Sequence, residues 1–141
     1  MWDNLVITGN LDWIAALIAD SSCVAVTDGS YMKELHPYLN SAAFVLECSK
    51  GRGRLVGSFV EQTPNAGSYR GELLGLMAIH LILRSMNEVF KDLRGLVHIY
   101  SDCLGALNKV ENLPPYRIPT KCSHSDILKN IMVNCSNLTF L

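Results

Sequence analysis

Three carboxylates stand where a chain could do chemistry. Asp28 follows Cys23–Thr27 (CVAVT), a short, β-branched, apolar run that suits a strand buried on both faces. Asp102 follows Leu96–Tyr100 (LVHIY), a second strand-like run. If the crossover between them is βαβ-like, the two strands are parallel and end on the same side. Neighbouring strands lie ~4.8 Å apart, so both carboxylates could converge on one point, at the strand ends where α/β sheets gather their ligands. Glu72 is the third. It lies near the start of a long apolar helix, and Leu76, Ile79 and Leu83 continue its stripe at helical spacing. A carboxylate on a sheet-facing stripe stays charged only with a partner, and a cation shared with Asp28 and Asp102 would be one. Gly71, Gly75 and Ala78 form a flat neighbouring strip that lets the helix approach the sheet closely.

Each acid also has a purely structural reading. Asp28 before Gly29 could form an Asx turn, Glu72 could complement the helix dipole, and Asp102 could cap the helix that begins at Cys103. The joint pattern favours a carboxylate metal site. Oxygen ligands, with no His or Cys at metal spacing, select a hard ion, Mg²⁺ or Mn²⁺. Such an ion retains waters and typically meets phosphate. Two of them ~4 Å apart activate a water and stabilise the leaving oxygen of a phosphodiester.

The elements that must position these acids can be read along the chain. Residues 11–19 form a short helix, with Asn10 as N-cap and Leu11, Ile14 and Ile18 on one side. Residues 31–40 form a loop. Ser41–Cys48 and Leu55–Val60 form two strands joined through Ser49–Arg54, a glycine-containing hairpin turn whose KGRGR cluster is a solvated, charge-protected turn or a phosphate contact. The main helix runs from Ser68 to Met86 and is apolar nearly all round, so protein covers it on more than one side. A short helix at Leu104–Val110 stops before Leu113-Pro114-Pro115, another spans Ser125–Asn134, and Leu138–Leu141 begins a strand-like run. Hairpins first and helix crossovers later predict an α/β fold, a mixed sheet with helices packed on its faces.

Composition is consistent with this. The chain has 141 residues, 49% hydrophobic and 18% charged, enough for one domain with a real core and too apolar for disorder. With 12 Lys+Arg against 13 Asp+Glu and a net charge of −1, it carries no strongly basic coat. Yet Asp3, Asp12, Asp20 and Asp28 fall within residues 1–32, which hold no lysine or arginine. All 12 basic residues and the other nine acids lie beyond, leaving that remainder modestly basic and a polyanionic partner admissible. Five cysteines without CxxC pairs read as free thiols in a reducing, intracellular compartment, cytoplasm or nucleus. The sequons at Asn134 and Asn137 read as chance matches, because the N-terminus is no signal peptide. The longest apolar stretch, Leu73–Leu83, is shorter than the ~20 residues of a membrane span.

The residues then carry a resemblance. TDGS (Thr27–Ser30), YRGELLGL (Tyr69–Leu76) and YSDCLGAL (Tyr100–Leu107) resemble, in order and interval, the first three signature blocks of the ribonuclease H family. Within it the chain is most similar to the ribonuclease H domains of retroelement reverse transcriptases, over roughly Cys23–Leu141. The resemblance implies a ribonuclease H-like mixed five-stranded sheet, three antiparallel strands first and parallel strands after, with helices on both faces. It implies an N-terminal extension with a short helix at 1–20 and the domain proper at 21–141. It also implies two-metal cleavage of the RNA strand of an RNA–DNA hybrid, with Mg²⁺ (or Mn²⁺) held by Asp28, Glu72 and Asp102. Ser30, Ser68, Tyr69 and Arg70 are the implied substrate contacts, and the rest of a reverse transcriptase polyprotein an implied partner.

Gly67-Ser68-Tyr69 and Leu104 depart from the polar residues common in the family. The larger departure is at the end. The family continues past its fifth strand, through a histidine loop, into a helix supplying a fourth carboxylate, whereas this sequence stops at Phe140-Leu141. The expectation is a domain lacking that helix, with an exposed apolar patch on one sheet face or a partner chain over it. Asp126 could substitute as a ligand, but Ser123-His124-Ser125-Asp126 reads first as a helix entry. His124 is then a surface residue and His80 a hydrogen-bonded core residue, while His98 carries no clear signal. The rival readings are a fragment that binds nucleic acid without cleaving it, and another nuclease of the same fold, such as an exonuclease or integrase.

Overall fold

The computed structural model of the chain describes residues 1–8, 12–48, 53–91, 93–112 and 123–136, with residues 134–136 described by backbone alone. In chain order the elements are β1 (Val6–Thr8), α1 (Asp12–Ala19), β2 (Cys23–Tyr31), β3 (Leu39–Cys48), β4 (Arg54–Gln62), α2 (Ser68–Val89), β5 (Val97–Ser101), α3 (Leu104–Glu111) and α4 (Ser125–Ser136). The strands form one five-stranded mixed sheet in the order β1-β4-β3-β2-β5. All neighbours are antiparallel except β2 and β5, which run parallel. This is the α/β architecture the hairpins-then-crossovers pattern predicts.

Burial follows from side-chain period. On β2, Cys23, Ala25 and Thr27 are buried while Val24, Val26 and Asp28 are not, and β3 buries Asn40, Ala42, Phe44, Leu46 and Cys48 in the same alternation. These residues face α2, whose Leu73, Leu76, Ile79 and Leu83 are fully buried against the sheet. The opposite side of α2 is covered by α4 through Ile127, Leu128 and Ile131. That second contact accounts for the helix being apolar nearly all round. His80 is buried within it, its Nδ1 2.7 Å from the Leu76 carbonyl oxygen, so the expected hydrogen-bonded core histidine is present.

Two boundaries differ from the sequence reading. β2 does not end at Thr27 but continues to Tyr31, because β3 begins at Leu39 and supplies ladder partners: Asp28 opposite Ala43, Gly29 opposite Ala42, Ser30 opposite Ser41. The loop expected at 31–40 shrinks accordingly, and the Tyr31 hydroxyl donates to the Pro37 carbonyl across it. The other difference is β1. Val6–Thr8 pairs with β4 and forms one sheet edge, while α1 sends Ile14, Leu17 and Ile18 into the core, so residues within the expected N-terminal extension join the sheet and core. The strand-like run at Leu138–Leu141, the Asn10 cap, Cys122 and most of the Ser49–Arg54 turn lie outside the described residues.

The sheet's other face carries a transverse apolar row. Cross-strand register aligns Val6, Val56, Val45, Val26 and Tyr100 across all five strands. Val6, Val26 and Tyr100 are exposed and the two central valines half-buried. Among the described residues this row is a partly exposed apolar surface on the face away from α2.

Candidate metal centre

The parallel ladder between β2 and β5 ends with Thr27 opposite Ser101, so Asp28 and Asp102 follow side by side. Asp28 sits inside a continuing strand, which removes the Asx-turn reading. Cys103 occupies the N-cap of α3 with no side-chain cap bond, which removes the capping role considered for Asp102. Glu72 lies beyond the first turn of α2, too deep to act mainly as a dipole-complementing acid.

Glu72 reaches the strand ends because two glycines bring helix and strand into backbone contact. A Cβ on Gly29 would lie 2.3 Å from the Glu72 nitrogen and 2.3 Å from the Gly71 carbonyl carbon; one on Gly71 would lie 2.9 Å from the Ser41 oxygen. No side chain fits at that seam. The outcome is that Asp28, Glu72 and Asp102 each offer a carboxylate oxygen within 4.8 Å of the others. Glu72 is buried, whereas Asp28 and Asp102 are exposed. Val26, Thr27, Asp28, Tyr100, Ser101 and Asp102 line a depression of about 280 Å³ at this point.

The electrostatics favour a cation. Burial pushes the Glu72 carboxyl above its usual range, opposed by a hydrogen bond from the Gly29 backbone; the charges of Asp102 and Asp28 push it further up, and the Ser101 hydroxyl opposes them. Three clustered carboxylates repel one another unless a positive charge is shared among them. An all-oxygen donor set suits a hard divalent ion, so the residues present fit Mg²⁺ or Mn²⁺.

The other expected site residues divide. Ser30, Ser68 and Tyr69 are exposed around the carboxylates' end of β2 and α2, where a bound molecule could reach them. Arg70, which the resemblance implies as a substrate contact, is turned inward and only 4% exposed. Its Nε and Nη2 each donate to Glu61 at 2.7 Å, and its Nη1 and Nη2 donate to Asp126 at 3.1 and 2.7 Å. The physical reason is partner supply: β4 and α4 each bring a carboxylate to one guanidinium, which matches its planar fork. Asp126 is thereby engaged by Arg70 and stands outside the three-acid group. His124 is half-buried with a left-handed backbone (φ 57°), its ring centroid 5.6 Å from that of Tyr69. Burial and the Arg70 charge hold its pKa below the usual histidine range.

Sequence reasoning missed Glu61 and Ser101. Glu61 sits at the end of a strand reading as an exposed acid, and nothing local marks it as Arg70's partner. Ser101 could have been noticed as the register mate of Thr27, each preceding a site acid.

No family model and no curated protein sequence matches the chain. Solved structures do. RNase H1 from the halophilic archaeon Halobacterium salinarum NRC-1 is similar at 12% identity, with a TM-score of 0.50, covering 83% of this chain and 76% of that one. The N-terminal RNase H domain of Rv2228c from Mycobacterium tuberculosis, solved as a fusion with maltose-binding protein, is similar at 11% identity and TM-score 0.52, covering 84% and 76%. The foamy viral protease-reverse transcriptase, solved in complex with double-stranded DNA, is similar at 18% identity and TM-score 0.56, covering 88% and 82%. Likeness at these identities speaks to architecture, and over most of its length this chain has the fold of the ribonuclease H domains.

Proposed function

We propose that the chain is a metal-dependent nuclease that hydrolyses the RNA strand of RNA–DNA hybrids, working as part of a retroelement reverse transcriptase. The observation that carries this reading is the convergence of Asp28, Glu72 and Asp102 within 4.8 Å at the strand ends of a ribonuclease H-like sheet. The foamy viral protein, similar over 88% of this chain, was solved with a nucleic-acid duplex, the class of partner proposed here.

Asp28, Glu72 and Asp102 would hold Mg²⁺ or Mn²⁺, which supplies activation of the attacking water and charge stabilisation at the leaving oxygen. The chain's own residues position the substrate. Exposed Ser30, Ser68 and Tyr69 offer hydroxyls to the backbone of a duplex, and Arg54, the exposed first residue of β4 and paired across the ladder with Glu47, adds a salt-sensitive phosphate contact. RNA is distinguished through its 2′-hydroxyl and the shape of the hybrid. Arg70 is engaged by Glu61 and Asp126 at the start of α2.

The test is cleavage of a labelled hybrid. RNA should be cut when paired to DNA and left intact when single-stranded, with Mg²⁺ required. Asp28→Asn should lower the rate by more than the roughly 10–100-fold typical of losing an outer partner of a metal site. Hybrid binding without cleavage would replace the enzymatic reading with a binding one, and cutting of DNA would point to another nuclease of this fold.

A further inference from the structure

We propose that Ser101 is a positioning residue that sets the metal affinity of the three-carboxylate site by orienting Glu72. The inference rests on the metal-site reading above and concerns a residue that supplies no ligand atom to it.

Ser101 is the last residue of β5 and stands directly before Asp102. Its Oγ accepts a hydrogen bond from the Cys103 backbone N–H at 3.2 Å and lies 3.4 Å from Glu72 Oε2. A hydroxyl has one proton to donate. With the Cys103 N–H occupying one lone pair, that proton is left for Glu72. The two contacts link the turn carrying Asp102 to the helix carrying Glu72. On the opposite strand, the Gly29 backbone also hydrogen-bonds Glu72. The buried carboxylate is thus held from both strands that bear the other two acids. At 3.4 Å the Ser101 contact is longer than the about 2.7–2.8 Å typical of a hydroxyl bond, so it restrains the Glu72 carboxylate lightly.

The neighbouring hydroxyl provides an internal contrast. Thr27 is the register partner of Ser101 and is 3% exposed, yet its Oγ1 has no hydrogen-bond partner. Of the two hydroxyls ending the parallel ladder, only Ser101's engages an acid of the site. Partners that orient metal ligands typically change affinity by about 10–100-fold when removed, because an unoriented ligand must be ordered by the ion itself.

The experiment is Mn²⁺ binding to the full chain, followed by electron paramagnetic resonance and by calorimetry, with thermal unfolding in chelator as the check on folding. Ser101→Ala should weaken Mn²⁺ binding about tenfold or more. Ser101→Thr, which keeps the hydroxyl, should restore it, and Thr27→Val should leave it unchanged. Wild-type affinity in Ser101→Ala overturns the proposal. So does a loss in Thr27→Val equal to that in Ser101→Ala, since the effect would then be generic to the strand ends. Failure of the wild-type chain to bind Mn²⁺ at millimolar concentration overturns the metal-site reading together with the proposal, and is distinguishable because all variants then behave alike.

Discussion

At the scale of single residues, backbone proximity matters as much as the acids. Gly29 and Gly71 let β2 and α2 touch main chain to main chain, and that contact places Glu72 beside Asp28. Gly29→Ala should destabilise the protein by about 1–3 kcal/mol, the range for overpacking a tight site, and lower metal affinity by moving Glu72 away. Gly105→Ala is the matching control. Its added Cβ would meet only a Tyr69 ring carbon at 3.8 Å, and alanine is the better helix former, so a gain of about 0.5–1 kcal/mol is expected. Chemical denaturation of the two variants should shift the midpoint in opposite directions. Much of this was legible in sequence: the three acids, and the flat strip at Gly71, Gly75 and Ala78. Arg70 entered as a substrate contact only through the family resemblance of the segment before Glu72, and its ion pairs were not legible. Its true partners lie 9 and 56 positions away, on β4 and α4, and long-range pairing leaves no local periodicity to read.

At the scale of elements, Arg70 fastens three of them. Through Glu61 it holds the end of β4 and through Asp126 the first turn of α4, both against the start of α2. The pairs are unequal. Glu61's side chain is 25% exposed and Asp126's 64%, so the Asp126 pair is largely solvent-screened and worth at most about 1 kcal/mol. Arg70→Met should cost about 2–3 kcal/mol, less than the 3–5 of a fully buried pair, since water still reaches Asp126. Asp126→Asn should cost no more than about 1 kcal/mol. The Arg70 guanidinium holds both carboxyls below their ordinary values of 4.5 and 3.8. Below those values the unfolded chain binds more protons than the folded one, so the contribution is intact above about pH 4.5 and is lost as pH falls further. Urea unfolding from pH 6 to pH 3 should show a steeper loss in the wild type than in Arg70→Met. Elements themselves were mostly legible where periodicity ran long, as in α2. β1 was not, because three residues (Val6–Thr8) gain strand character only from pairing with β4. β2 was cut short because Asp28-Gly29-Ser30 has turn composition, and only the ladder with β3 overrides it.

At the scale of the whole molecule, stability and the site oppose each other. The sheet buries one face beneath α2, and the other bears the row from Val6 to Tyr100, ending beside the acids. The core is therefore one-sided among the described residues, and the molecule also gathers three carboxylates at one edge, one of them buried. Without a cation this arrangement costs folding energy. Asp102 and Asp28 both push the buried Glu72 carboxyl up, Asp102 the more strongly, so neutralising either acid relieves repulsion. In chelator, Asp102→Asn should raise the melting temperature by about 2–3 °C, corresponding to roughly 0.5–1 kcal/mol in a chain of this size, and Asp28→Asn by less. An ion that binds only the folded state reverses the order. Mg²⁺ at a hundred times its dissociation constant adds about 2.7 kcal/mol, or about 5–10 °C, to the wild type. The variants, each lacking a ligand, should gain a fraction of this. Scanning calorimetry with and without Mg²⁺ reads both terms: variants above wild type in chelator and below it in the metal mean that the three acids are strained by their own charges and relieved by a cation. Variants that melt below wild type under both conditions would mean that Asp28 and Asp102 are ordinary structural acids.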